Sequence, residues 1–371
     1  MKKDGEWCII ITMGHTDYLI QTRRALHRIP EPSEQEFATS DYIAAQLKAM
    51  GHKFRRLGTG IVCDVKGVDT SRLIALRCDI DALPIVERTD CSFKADGNYM
   101  HACGHDGHMA MLLCAAKMLA ERKPKQNVRL LFQFGEEGDG GAEKMMAMGA
   151  IDGVDEIFAF HMCPELPIGQ VASCEGAMFA GTVEFDVAFT GKSCHCACAA
   201  DGRDALKAAM RFYERAQHVS EDCRNGTVFH IGKLTGGTAR NVVANEAVAY
   251  CTLRYFDPDV MDMLMMRLEG YLVEGDNLSG TDHRVTVHAV YPPLINHPAS
   301  LAKVRALVKV QTCAPRFTAE DFAFYLQKTE GCMLWLGCRD EHHVSPLHSD
   351  TFGFDEKALL TGVEIYEKLL Y

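Results

Sequence analysis

Three apolar runs in the first half of the chain each stop at side chains that bind cations or move protons. RLIALRC (72–78) leads into Asp79 and Asp81, NVRLLFQF (127–134) into Glu136 and Glu137, and EIFAF (156–160) into His161. Continuous runs of this kind suit strands buried on both faces. Helical patterns lie between them, GHMAMLLCAAKMLAER and the shorter GGAEKMMAMGA. The alternation predicts an α/β fold, a doubly wound and mostly parallel sheet with helices on both faces. Such sheets take ligands outside the carboxyl ends of their strands. The shared position of these acids and this histidine, more than any one of them, marks a site.

The flanks fit that frame. TDYLIQTRRALHRI reads as a helix with Thr16 as its N-cap, and EPSEQEFATSDYIAAQLKAMG as a second, stopped by Gly51. GCMLWLG (331–337) reads as another buried strand. The middle of the chain changes character. From residue 181 TVEFDVAFTG alternates as a half-exposed strand does, and the order that follows is helix, strand, strand, helix, strand. That order predicts a small α+β domain, an antiparallel sheet with two helices on one face. YPPLINHP reads as the linker back. The expected division is residues 13–180 with 291–371 as a catalytic, metal-binding domain, and 181–290 as an insertion.

Bulk properties exclude several classes. The formal charge is −11, and no basic run exceeds two residues, so nucleic acid is not an expected partner. No stretch approaches the length of a membrane span. The opening MKKDGEWCIIITMG has too short an apolar run for a signal-peptide core, and Met13 stands as an alternative start. Sixteen cysteines without a secretion signal imply reduced thiols and a cytoplasmic protein.

MHACGHDGHMA brings His101, Cys103, His105, Asp106 and His108 together just before a helix. Cys103 and His105 form a C-x-H pair able to bind one ion or bridge two. In FQFGEEGDGG the adjacent carboxylates point opposite ways on an extended chain, so one can bind metal while the other faces substrate. After a buried strand, two carboxylates are costly unless a cation compensates them. His348 in PLHSDTFGFDE completes the set, and His342 and His343 in a more polar loop read as solvated. Cys, His, Glu, His and His with a spare Glu suit one or two divalent ions such as Zn²⁺ or Mn²⁺. GKSCHCACAADG (191–202) also draws a metal reading, with Cys194, His195, Cys196 and Cys198 within five positions. A full ligand set exists without it, and its thiols read as small apolar residues or pocket lining.

MHACGHDGH, GEEG, FAFHMCPELPIG, GKSCH, GGTARNVV, AEDFAFYL and LHSDTFGFDE, in that order from about Met13 to the C-terminus, resemble the aminoacylase-like dinuclear metallohydrolases. The closest branch holds hippurate hydrolases, auxin-conjugate hydrolases and N-acetyldiaminopimelate deacetylases. The resemblance implies a catalytic domain interrupted by a lid and dimerisation domain, hence a homodimer. It implies two divalent ions, Zn²⁺ or Mn²⁺ first and Co²⁺ or Ni²⁺ next. Cys103 would bridge them, with Glu137 and His348 on one and His105 and His161 on the other. More distant relatives have a metal-binding His at the position of Asp79; here His105 would take its place. Glu136 would be general base and then proton donor, and Asp81 would orient a ligand. His195 would reach the reacting carbonyl, and Asn241 and Arg254 would contact substrate polar groups, although Arg254 equally suits a surface strand charge. The branch usually carries Gly and Ala around the lid histidine and then Pro-His, which this chain lacks.

The implied activity is hydrolysis of N-acyl amino acids to a carboxylate and a free amino acid. The alternatives are N-acetyldiaminopimelate deacetylation and a dipeptidase or carboxypeptidase. A metal- or peptide-binding protein without catalysis is the reading from another class. Glu136 separates them, because a protein without the reaction has no use for a spare carboxylate among the ligands.

Overall fold

The computed structural model describes residues 12–138, 140–219 and 226–371. The reading of the first eleven residues lies outside them. The chain divides into two compact units. The first holds the chain up to Gly176 with Ile295–Ala314 and Phe324–Tyr371; the second holds Ala177–Leu294 and Pro315–Ala323.

The first unit begins with α1 (Met13–His27) and α2 (Phe37–Ala49). The N-cap of α1 is Thr12, not Thr16. Thr12 Oγ1 accepts from His15 N while His15 Nδ1 reaches back to Thr12 N, a reciprocal box that starts the helix early. The strands are β1 (Phe54–Leu57), β2 (Gly60–Val65), β3 (Asp69–Asp79), β4 (Gln126–Gln133), β5 (Glu156–Pro167) and β6 (Val171–Ser173). With Gln311–Thr312 and Glu330–Arg339 they form an eight-stranded sheet among the described residues. Its centre, in the order β4, β3, β5, Glu330–Arg339, is parallel, and β1, β2 and β6 join antiparallel. The connecting helices are α3 (His105–Glu121) and α4 (Gly141–Ala147). Apart from Lys117 and the last two residues, α3 is buried, as expected of a helix apolar almost all round.

EIFAF does not end at His161. β5 runs on to Pro167 because Glu330–Arg339 keeps pairing with it, Trp335 opposite His161. On its other side the ladder with β3 stops at Ala159. His161 therefore projects past the end of β3 although it lies inside a strand.

The second unit is an antiparallel sheet of four strands, Asp282–Tyr291, Gly181–Thr190, Glu246–Tyr255 and Thr227–Gly236 in spatial order. Burial alternates along Gly181–Thr190 and Glu246–Tyr255 with the period of two that one covered face requires. That face meets α5 (Ala205–Ala216) and α6 (Pro258–Ser279) in a core of Phe185, Phe189, Phe212, Leu253, Leu264 and Leu268. The first and last strands of the unit lie side by side, which makes Thr227–Gly236 and Asp282–Tyr291 its edges. Pro315–Ala323 joins this unit through Ala180 N, which donates to Arg316 O and Thr318 O, and through stacking of Phe317 on Phe256 at 4.9 Å.

Candidate metal centre

The loop into α3 is shaped by Gly104, whose φ of 90° few side chains tolerate. A Cβ there would also run into Met162. The turn leaves Cys103 in the loop and makes His105 the first helical residue. GEEG is fixed from outside its own strand. Glu36, buried at the start of α2, accepts from Gly135 N at 2.9 Å. Asp81 Oδ2 accepts from Glu137 N at 2.9 Å and from Ser33 Oγ at 2.6 Å. His348 is one of two described residues other than glycine at positive φ, 62°. Its amide donates to Ala102 O at 2.9 Å, so the strained turn is hooked to the loop that carries Cys103.

The donor atoms gather as two triads that share one thiol. His161 Nε2 is 3.3 Å from Cys103 Sγ, and His105 joins that pair. His348 Nε2 lies 3.3 Å from the same sulfur and 3.1 Å from Glu137 Oε1. Each buried imidazole is aimed by its other nitrogen. His161 Nδ1 donates to Met162 O and His105 Nδ1 to Asp81 O, both at 2.9 Å, which leaves the Nε2 lone pairs for a ligand. His105 Nε2 and Asp81 Oδ1 are buried without a hydrogen-bond partner. Orphaned donors of this kind among a thiol, imidazoles and carboxylates fit a borderline divalent cation.

The electrostatics agree. Burial pushes the His161 pKa down to about 3, so its lone pair is available across the physiological range. Burial also pulls on His105, but Asp79, Asp81 and Glu137 outweigh it and raise that pKa to about 10, so a cation binding there would displace the Nε2 proton. Burial, with Glu137 and Glu136 beside it, lifts the Cys103 thiol well above its usual value. A surplus of negative groups thus surrounds the shared sulfur. Glu136 Oε2 approaches within 3.9 Å of His105 Nε2, its side chain one-tenth exposed.

Asp79 is occupied. Arg77 Nη1 donates to its Oδ2 at 2.8 Å, and His108 Nδ1 to its Oδ1 at 2.7 Å. His108 Nε2 in turn accepts from Met162 N at 3.0 Å. Arg77, Ser33 and Glu36 are supporting residues that sequence reasoning missed, and His108 was noted there without this role. Only His108 left a usable signal, since i and i+3 on a helix share a face and His105 lies three residues before it. Asp81→Asn is expected to weaken metal binding about 10–100-fold, read by equilibrium dialysis. The amide oxygen can keep the bonds from Glu137 N and Ser33 Oγ, but an NH2 then faces His105 Nδ1–H where a carboxylate oxygen stood, and the charge is lost.

The second unit places His195 beside Asn241: His195 bridges to Val242, and Cys196 N donates to Asn241 O at 2.9 Å. His195 Nδ1 accepts from Ala197 N at 3.2 Å, so the proton sits on exposed Nε2 as a donor. Cys194 Sγ donates to Cys198 O at 3.2 Å. Arg254 pairs with Glu184 at 3.1 Å on the strand face. His343 is held by Asp340 at 2.8 Å.

Residues 75–371 match Peptidase family M20/M25/M40. The chain is 34% identical over 375 residues to N-acetyldiaminopimelate deacetylase of Oenococcus oeni, covering 95% of this chain and 97% of that protein. It is 34% identical over 355 residues to N-acetyl-L-cysteine deacetylase of Bacillus subtilis, 92% of this chain and 85% of that protein. A dinuclear metal binding peptidase of the M20 family from Bacillus subtilis superposes with a TM-score of 0.86 at 28% identity, over 96% of this chain and 97% of that one. No helix among the described residues is long and apolar enough to cross a membrane.

Proposed function

This chain belongs to peptidase family M20/M25/M40, and on that premise we propose that it hydrolyses the amide bond of N-acyl amino acids, acetyl among them, to a carboxylate and a free amino acid. The observation that carries the reading is Glu136, a carboxylate that also clusters with His105 and Glu137 but is not needed to complete the two triads that share Cys103. Cys103, His105, Glu137, His161 and His348 would hold two divalent ions, Zn²⁺ or Mn²⁺ by the softness of the donors. When bound, such ions supply Lewis acidity that polarises the scissile carbonyl and acidifies water.

The residues do the rest. Glu136 accepts the proton of the attacking water and hands it to the leaving amine, so that one carboxylate serves as base and then acid. Asp81 keeps Glu137 and His105 in place while charge shifts between them. The exposed Nε2–H of His195 would serve the oxyanion, from this chain or from a partner copy. His195→Ala is expected to lower kcat by about 10²-fold with metal content unchanged, the usual loss for one such donor.

Hydrolysis of an N-acyl-amino-acid panel, N-acetyl-methionine and hippurate included, with added Mn²⁺ or Zn²⁺ tests the reading. Metal binding without turnover of any member would sink it. A second reading, N-acetyldiaminopimelate deacetylation, is favoured by the relatives of that name at 34–36% identity. A kcat/KM for that substrate at least about tenfold above the rest of the panel would select it. The two edge strands of the second unit support a homodimer through that unit, which sedimentation would test. The thiol-rich composition supports a cytoplasmic setting.

A further inference from the structure

The geometry points to a third divalent-cation site, built by His27, Glu87 and Cys91 apart from the two catalytic triads. His27 ends α1, and the other two residues lie in the loop after β3. Their ligand atoms all fall within 4.8 Å of one another. His27 Nε2 stands 3.2 Å from each oxygen of Glu87, and Cys91 Sγ is 3.5 Å from Glu87 Oε1. Zn²⁺ bonds of the usual length in tetrahedral geometry separate N and O ligands by about 3.4 Å, and S and O by about 3.6 Å. The catalytic triads show the same spacing, 3.1 to 3.3 Å between partners.

Orientation supports the assignment. His27 Nδ1 meets Asp106 Oδ2 at 2.9 Å, and Arg23 Nε donates to the same oxygen at 2.9 Å. With its proton on Nδ1, the ring turns the Nε2 lone pair onto a carboxylate. Two acceptors face to face need a cation between them, a proton or a metal. The Asp106–His27 bond supplies the carboxylate–histidine support that metal-binding imidazoles usually have. Ala95 N donates to Glu87 Oε2 at 3.0 Å, which fixes the carboxylate. His27 and Glu87 are buried, while Cys91 is partly exposed and gives an ion a path in and a position open to water. Zn²⁺ with a thiolate and a carboxylate leaves this pocket neutral; the Arg23–Asp106 pair is already balanced. The ion would release two protons, from the His27 imidazolium and the Cys91 thiol. It would tie α1 to the loop and, through Asp106, to the first turn of α3 beside His105.

The test uses the full chain, stripped of metal and dialysed against Zn²⁺, with zinc per chain counted by mass spectrometry. Three ions are expected for the wild type and two for Cys91→Ser. A second measurement needs no variant: alkylation of Cys91, mapped by peptide, should slow at least about tenfold at zinc concentrations ten times the dissociation constant, by mass action. Two ions in both proteins, or Cys91 alkylated equally fast with and without zinc, overturns the proposal in favour of a buried ion pair held by a proton.

Discussion

Replacing Glu136 by Gln is expected to lower kcat by about 10²–10⁴-fold while metal content stays at the wild-type level, the range set by loss of a positioned general base. Glutamine keeps size and polarity but accepts no proton. The shared thiol, three imidazoles and Glu137 remain to fill both triads. Glu136 and Glu137 leave the same turn, yet the amide of Glu137 is held by Asp81 and its carboxylate lies 3.1 Å from His348, whereas Glu136 Oε2 stands 3.9 Å from His105 Nε2. The division of labour follows from that difference. The measurement pairs turnover of N-acetyl-methionine with metal analysis. A variant that loses metal in step with activity would make Glu136 a ligand and would remove the base from the mechanism.

Arg77→Met is expected to destabilise the loaded protein by about 3–5 kcal/mol, the cost of leaving a buried charge without its partner. Arg77 is fully buried in β3. Its Nε donates to Gln133 Oε1 at 2.9 Å, and Nη1 to Asp79. Asp79 passes the link to His108, and His108 to the backbone of β5. One side chain therefore stitches β4 and β3 to α3 and β5 directly beneath the triads. Methionine fills similar volume and removes the charge. Asp79 then faces its low-dielectric surroundings with histidines alone, whereas now His105, His108 and Arg77 together hold its pKa far below the ordinary carboxylate value against burial. Urea unfolding of the two proteins decides. A difference under about 1 kcal/mol would mean that the network is worth no more than a surface pair. The double variant Arg77→Met with Asp79→Leu should recover part of the loss, because it removes both charges together.

These two residues also show what could be read in advance. Glu136 was legible because an apolar run that ends in two carboxylates states its cost within ten positions. Cys103 and His105 were legible for a similar reason, their own spacing and the helix that follows. Arg77 sat inside a run counted as apolar. Its burial depends on Gln133, contributed by another strand 56 residues away, and local pattern carries no trace of such a partner. Ser33 and Glu36 were hidden likewise: they act on the GEEG turn from about a hundred residues upstream. The reach of β5 past Ala159 depends on a strand supplied far later in the chain, so EIFAF alone looked finished. Thr16 looked like a cap because it opens the amphipathic pattern, but the reciprocal bonds of Thr12 and His15 begin the helix before that pattern does.

The late arrival of Glu330–Arg339 has a further consequence, in time. That strand sits between β5 and β6 near the middle of the sheet, yet it is made about 160 residues after β5. At about 5–20 residues per second, the ribosome takes roughly 10–30 s to produce it. Through that interval the nascent chain carries β5 with one ladder unformed, an apolar edge able to pair with a neighbour on the same message. The second unit is translated within the same interval, and its four strands and two helices close on themselves. A unit with a core of its own can fold before Glu330–Arg339 is made, so the long wait need not leave the whole chain unfolded.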